Sequence, residues 1–225
     1  MNIFNTSIQG VYFVILIIFA PFCTLAVALR FIACRKAGRK LGLEDWFALC
    51  ALIVYLAFTI LSAITLAALN GRNQAVLAVQ DPEEFARIRK MTYADLPLFP
   101  LQMLFSKLSI MALYLRIFGI RAVYTRWIYF LGAIHISWVI MILVLQTVSC
   151  NPLEKFWRPF IPGWCFSEAI LAIPSECINS IIDFALVILA LFMIQSIHIS
   201  RDTKWKLGGL FGLGGLYVLG PAMPH

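Results

Sequence analysis

Charge is scarce in this sequence: Asp, Glu, Lys and Arg make up 13% of its 225 residues, about half the share typical of a soluble domain. Its polar content is too low for a disordered chain, which stays unfolded because it cannot bury enough apolar surface. Acidic residues are the rarer sign, 11 against 18 basic, for a net charge of +7. Basic blocks interleaved with aromatics are missing, so nucleic acid is not an expected partner. Also missing are an HExxH helix, a Gly-rich loop followed by GK[ST], a Ser-His-Asp set and any cluster with metal-ligand spacing. No metal, cofactor or catalytic residue is therefore expected. With no repeat of fixed period and no low-complexity linker, residues 1–225 read as one membrane domain.

Apolar residues are abundant: 62% of the chain is hydrophobic and its mean hydropathy is +0.89. One soluble core of this length could not bury so much apolar surface. The remaining class is all-α, a polytopic bundle of transmembrane helices whose first partner is the lipid bilayer. Apolar runs occur at about Val11–Phe31, Trp46–Leu69, Leu96–Phe118, Trp127–Val148 and Ala172–Ile197. Each passes the ~18 residues that mark a spanning helix. A sixth run, Leu207–Pro221, has 15 residues. At ~1.5 Å per residue it falls short of the ~30 Å hydrocarbon core. The expectation is five full spans plus a partial sixth.

Basic residues in the loops set the expected direction. The first loop carries Arg30, Arg35, Lys36, Arg39 and Lys40, the third Arg116, Arg121 and Arg126, and the fifth Arg201, Lys204 and Lys206. These eleven face six on the other side: Arg72, Arg87, Arg89, Lys90, Lys155 and Arg158. The positive-inside rule then puts the N-terminus outside, in the plasma membrane or an endomembrane. The first span lacks a basic n-region and is followed by positive charge, so it reads as an uncleaved anchor. The sequon Asn5-Thr6-Ser7 lies so close to the membrane that it is expected unmodified.

Of six cysteines, Cys23, Cys50 and Cys177 fall within spans as small packing residues. Cys34, beside Arg35 and Lys36, suits palmitoylation or, more plainly, a free thiol. Cys150 and Cys165 share the fourth loop, on the outer and oxidising side, and are expected to form a disulfide. Closing a loop of ~15 residues stabilises by ~3 kcal/mol in the chain-entropy model. The loop has no His and no CxxC, which makes zinc a poor alternative. Trp157 and Trp164 suit the aromatic belt.

Ionisable residues inside spans cost ~2.5–3.5 kcal/mol each on insertion scales and require a reason. Lys107 and Asp183 each lie about eleven residues from the outer end of their span, ~16 Å deep, and are expected to pair. Glu176, Asn179, Ser180 and Asp183 are spaced i, i+3, i+4, i+7 on one face of the fifth span. Pro100, Met103, Lys107, Ile110 and Tyr114 share a face of the third. Two readings stand side by side: a polar pocket open to the outside, and structural polar residues that fix helix packing. His135 and Gln146 read as interhelical hydrogen-bonding residues. Gly208, Gly212 and Gly215 give the small-xxx-small spacing of close helix contact.

The segments Phe105–Ile110, Tyr114–Phe118, Glu44–Trp46 and Cys150–Pro152, taken together, resemble the fungal rhodopsin-like family of integral membrane proteins. Phe105-Ser106-Lys107-Leu108-Ser109-Ile110 with Tyr114-Leu115-Arg116-Ile117-Phe118 is similar to its third-helix signature. Glu44-Asp45-Trp46 resembles the opening of its second helix, and Cys150-Asn151-Pro152 with Trp157 and Cys165 its outer loop. Asn179 and Asp183 match fifth-helix positions, and Lys206-Leu207-Gly208 with Phe211 the start of helix six. The resemblance covers about residues 10–215 and implies a pattern of seven helices, some members being candidate receptors and others products of secondary-metabolite clusters. Leu189-Ala190-Leu191 stands where the family usually has a proline. Helix six is short and helix seven missing, so the chain reads as a C-terminally truncated member. Retinal attaches to a lysine of helix seven in the rhodopsins that bind it, so no retinal is implied.

The leading expectation is a receptor-like protein, more a sensor than an enzyme, that detects a small extracellular ligand and signals to a cytoplasmic partner. Arg116 is the coupling candidate by fold-level analogy, with positive-inside anchoring the plainer role. The alternative is a membrane-embedded, cyclase-like biosynthetic enzyme on a lipophilic substrate, with Glu176 or Asp183 as its acid. Inverted repeats and paired broken helices, the marks of a transporter, are not evident.

Overall fold

A computed structural model describes residues 7–119 and 121–195. The sixth apolar run with its glycines, the basic residues Arg201, Lys204 and Lys206, and Asn5-Thr6 of the sequon lie outside them. The described chain is all-α but for one small hairpin. Its helices are α1 (Ser7–Lys36), α2 (Leu43–Leu69), α3 (Gln74–Gln80), α4 (Pro82–Asp95), α5 (Leu98–Phe118), α6 (Ala122–Thr147) and α7 (Glu168–Gln195). Between α6 and α7 come β1 (Cys150–Asn151), a 3₁₀ turn (Leu153–Phe156) and β2 (Trp164–Cys165).

Five stretches among the described residues are long and apolar enough to cross a membrane: Phe13–Lys36, Leu43–Leu69, Pro82–Phe118, Ala122–Thr147 and Ala172–Met193. Each overlaps one run expected from the sequence. In the third, α4 carries six charged residues in fourteen, so the apolar, crossing part is α5. Ile17, Ile53, Ile60, Ile140 and Ile181 are each more than half exposed, the surface expected of helices whose neighbour is lipid rather than water.

Local chemistry explains where the helices stop. After Arg35 and Lys36, which complement the helix dipole, Gly38 takes φ 61°. Its N–H donates to Arg35 O (3.1 Å) and that of Arg39 to Cys34 O (3.1 Å), the two bonds of a Schellman cap. Helix α2 opens with the Asp45 carboxylate accepting from the Gly42 N–H at 3.0 Å and closes at Asn70, φ 49°, a residue type that tolerates the left-handed region. Asn73 caps α3 by accepting from the Ala75 N–H, and Asp81 caps α4 by accepting from that of Glu84, with Pro82 in the first turn.

By packing, the chain divides into two compact units. Among the described residues, one comprises those up to Ile110 together with Val139–Phe166; the other comprises those of Met111–Trp138 and those from Ser167 on. In the first, α2 meets α5 through the ring pairs Phe47–Phe105 and Phe58–Phe99, centroids 6.5 and 6.1 Å apart. Ser109 Oγ donates to Glu44 O at 2.7 Å. A smaller core of Leu69, Leu77, Ala78, Phe85 and Ile88 ties α3 and α4 to the end of α2. In the second unit, Met111 and Tyr114 of α5, Ile128 of α6 and Ile182, Leu186, Leu189, Ala190 and Met193 of α7 form one buried cluster.

Candidate functional site

The described residues that concentrate charge, aromatic rings and open volume form a cap in the first unit, at the α2–α3 end. Its brace is the predicted disulfide: β1 and β2 pair antiparallel with Cys150 opposite Cys165, and the two sulfurs are bonded at 2.06 Å. Inside the loop so closed, Lys155 Nζ donates to Ile161 O at 2.8 Å. The loop is clasped to α4 from several sides. The Arg89 guanidinium stands 4.2 Å from the Phe156 ring centroid, and its Nε donates to Phe156 O at 3.4 Å. Lys90 Nζ lies 5.6 Å from the Trp157 ring, and Tyr93 meets the edges of Phe156 and Trp157 at 5.3 and 6.1 Å. Cations held against aromatic faces gain from the ring quadrupole. Trp157, expected in the aromatic belt, also helps to clasp the loop to α4.

Two cavities lie in this cap. One, of about 430 Å³, is lined by Leu61 and Met91 and by the charged residues Glu83, Arg87, Lys90 and Arg158. The other, of about 240 Å³, is lined chiefly by Phe85, Trp157, Pro159, Phe160 and Ile161. They share Glu83 and Arg158, which face each other with Nη2 and Oε1 3.5 Å apart. Nearby, Arg72 forms a two-pronged bond with Glu84, 2.8 and 2.7 Å. That hydrogen bonding raises the Arg72 pKa further above its ordinary value.

A second polar cluster sits at the other end of α2. Asp45 has no exposed side-chain surface and accepts from Arg30 Nε at 2.8 Å and Arg39 Nη2 at 3.3 Å, besides its cap bond to Gly42. Cys34, buried and unoxidised, donates to Asp45 Oδ1 at 3.7 Å and accepts from Arg39. A buried thiol in this setting favours the free-thiol reading over palmitoylation. Arg30 and Arg39, legible in sequence only as topogenic charges, are the partners of a buried carboxylate. Asp95, which the sequence reading passed over, accepts from the buried Ser62 hydroxyl at 2.5 Å.

The other predicted residues fall as follows. Lys107 is buried in α5 at 3% exposure, in the first unit. Tyr114 is buried in the cluster of the second unit, alongside Ile182. On α7, Asn179 is buried, Asp183 half-buried and Glu176 exposed. The buried line of α7 therefore runs through Asn179, Ile182, Leu186 and Met193, with Glu176 and Asp183 off it. On α5 it runs through Lys107, Met111 and Tyr114 rather than through Ile110, which is 39% exposed. Arg116 is exposed in the last turn of α5. His135 is wholly buried and stacks on Trp138, centroids 5.6 Å apart. Gln146 Nε2 donates to Leu96 O at 3.4 Å, the helix-linking role expected of it. No group of three or more metal-ligating side chains occurs among the described residues.

Sequence comparison adds relatives to this geometry. A family model described as the fungal rhodopsin domain matches residues 29–220. The chain is 38% identical to Wortmanamides biosynthesis cluster protein C of Talaromyces wortmannii, across 95% of this chain and 59% of that protein. It is 36% identical to Satratoxin biosynthesis SC1 cluster protein 4 of Stachybotrys chartarum, across 52% and 44%. To an SAT4 family membrane protein of Emericella nidulans it is 25% identical, across 64% and 38%. The chain thus spans about half the length of the curated relatives it matches. No solved structure matches it.

Proposed function

This chain belongs to the fungal rhodopsin domain family, and from that premise we propose a receptor-like role for a multi-pass integral membrane protein. The cap takes a small ligand on the outer side, and the spanning helices carry the change to a partner on the inner side. The observation that supports this most is the cap itself. A disulfide, cation–ring contacts and helix caps hold rigid a surface that still contains two open cavities. Pre-organised concavities of a few hundred Å³ with few polar groups are the usual form of small-molecule sites.

The proposed direction, N-terminus outside, rests on eleven loop cations against six and is supported by a disulfide in the fourth loop, since disulfides persist on the oxidising side. In the sequence Lys107 and Asp183 each stand about eleven residues in from the outer start of their spans, which supports pairing them, with Asn179, Glu176 and Tyr114 in the same proposed intramembrane polar set. Arg116, at the far end of α5 from the cap, is the proposed contact for the inner partner.

The names of two relatives place those proteins in biosynthesis clusters, which is compatible with a second reading, an enzymatic role on a lipophilic substrate. One experiment separates the two. The protein in lipid nanodiscs is mixed with an organic extract of the host culture, while hydrogen exchange is followed at the cap and around Arg116. A receptor gains protection in the cap and changes near Arg116, with the extract's composition constant. An extract whose components are converted, with no change near Arg116, refutes the receptor reading in favour of the enzyme.

A further inference from the structure

We propose that the cap binds an amphiphilic anion, its head among Arg87, Lys90 and Arg158 and its apolar part in the adjoining cavity of Phe85, Trp157 and Phe160. The inference deepens the reading of the cap as a ligand site and rests on it. Three cations and one carboxylate line the larger cavity, leaving an excess of two positive charges around about 430 Å³. Guanidinium groups favour planar or tetrahedral oxyanions, and charge-assisted bonds to them are the stronger kind. The smaller cavity is of the opposite character, with rings and prolines around about 240 Å³. At ~30 Å³ per water-sized group it has room for on the order of eight methylenes.

What joins the two is the Glu83–Arg158 pair, the boundary residues of both cavities. At 3.5 Å, with side chains 84% and 54% exposed, the pair is weak and readily exchanged. An incoming oxyanion can take the place of Glu83 beside Arg158, and the tail then passes the boundary into the ring-lined cavity. Neither a purely polar anion nor a neutral apolar molecule uses both halves.

Trp157 reports on the proposal directly, because it lines the apolar cavity and Lys90 stands over its ring. The full chain in nanodiscs of zwitterionic lipid is titrated with 10-bromodecanoate, whose bromine quenches nearby indoles. The signal read is the difference between the wild type and Trp157→Phe, which removes quenching of other tryptophans by probe dissolved in the bilayer. The expected result is saturable quenching of Trp157, weakened about tenfold or more in Arg87→Gln/Lys90→Gln by loss of charge-assisted bonds. Glu83→Gln is expected to tighten it. Glu83, Arg87 and Lys90 are exposed, and Trp157→Phe keeps a ring at the half-buried Trp157 position, so these substitutions leave the fold intact.

A second arm replaces the free acid with a tail-brominated phosphatidic acid in the disc. Quenching there and not by the acid assigns the oxyanion to a membrane lipid, and the reverse assigns it to a free amphiphile; either supports the site. Equal Trp157 quenching by 10-bromodecanol, or no effect of Arg87→Gln/Lys90→Gln, overturns it. If the culture extract alters exchange at the cap and near Arg116 while neither probe quenches Trp157, the amphiphile assignment fails and the receptor reading stands. Saturable binding with no change near Arg116 has the opposite meaning.

Discussion

Replacing Asp45 with alanine should cost this protein about 2.5 kcal/mol, through interactions that lie outside any ligand site. Asp45 is fully buried at the start of α2 and bonds the Gly42 N–H at 3.0 Å and Arg30 Nε at 2.8 Å. Loss of a helix cap costs about 1 kcal/mol, and loss of a charge-assisted bond about 1.5–3 kcal/mol. Arg30 keeps 28% of its side chain exposed, so its orphaned guanidinium regains some water and the lower end of that range applies. Asp45→Asn preserves shape but not charge and should cost about half as much. The assay is SDS unfolding in mixed micelles followed by tryptophan fluorescence, carried through a double-mutant cycle with Arg30→Gln. A coupling of about 1 kcal/mol or more is expected. Additivity within about 0.3 kcal/mol, or an Asp45→Ala midpoint equal to wild type, would refute the assignment of Asp45 as the anchor of the α1–α2 turn.

Further outcomes can be measured in the same system. Cys150→Ser/Cys165→Ser removes a cross-link spanning 15 residues and should lower stability by about 3 kcal/mol in the chain-entropy model; the wild type should lose the same amount in reductant, and an unchanged midpoint would contradict the brace. Lys107→Asp and Asp183→Lys should each reduce the folded yield, and the double variant should restore part of it; no recovery counts against the proposed pair. A glycosylation tag on an N-terminal extension should be modified in microsomes if the N-terminus lies outside, whereas modification of a tag at Gly38 instead would invert the topology. Arg116→Gln should leave probe binding at the cap unchanged while reducing the exchange response of the inner helix ends.

The helices themselves were largely legible in the sequence. Apolar runs locate spanning helices because the bilayer imposes a length and a polarity on each segment separately, without regard to its neighbours. The Cys150–Cys165 bond was legible for a related reason: two cysteines in one short loop between spans have little choice of partner. Helix faces were harder to read. The spacing that grouped Ile110 with Lys107 and Tyr114 is a correct helical period, yet Met111 is buried in its place, because burial depends on where neighbouring helices lie. The same holds on α7, where Glu176 shares the period of Asn179 but not its burial.

The sequence by itself determined that this is an all-α membrane protein of the fungal rhodopsin domain family, with five spans among its described residues and a bridged loop. Composition, segment length and local motif suffice for such properties. Only the tertiary structure decided that Arg30 and Arg39 hold a buried Asp45, and that Arg158 comes to stand beside Glu83, 75 positions away in the chain. In the sequence those arginines are indistinguishable from loop charges that orient a helix. Their partners are set by how the α1–α2 turn closes and how the bridged loop folds onto α4, and neither arrangement leaves a periodic trace along the chain.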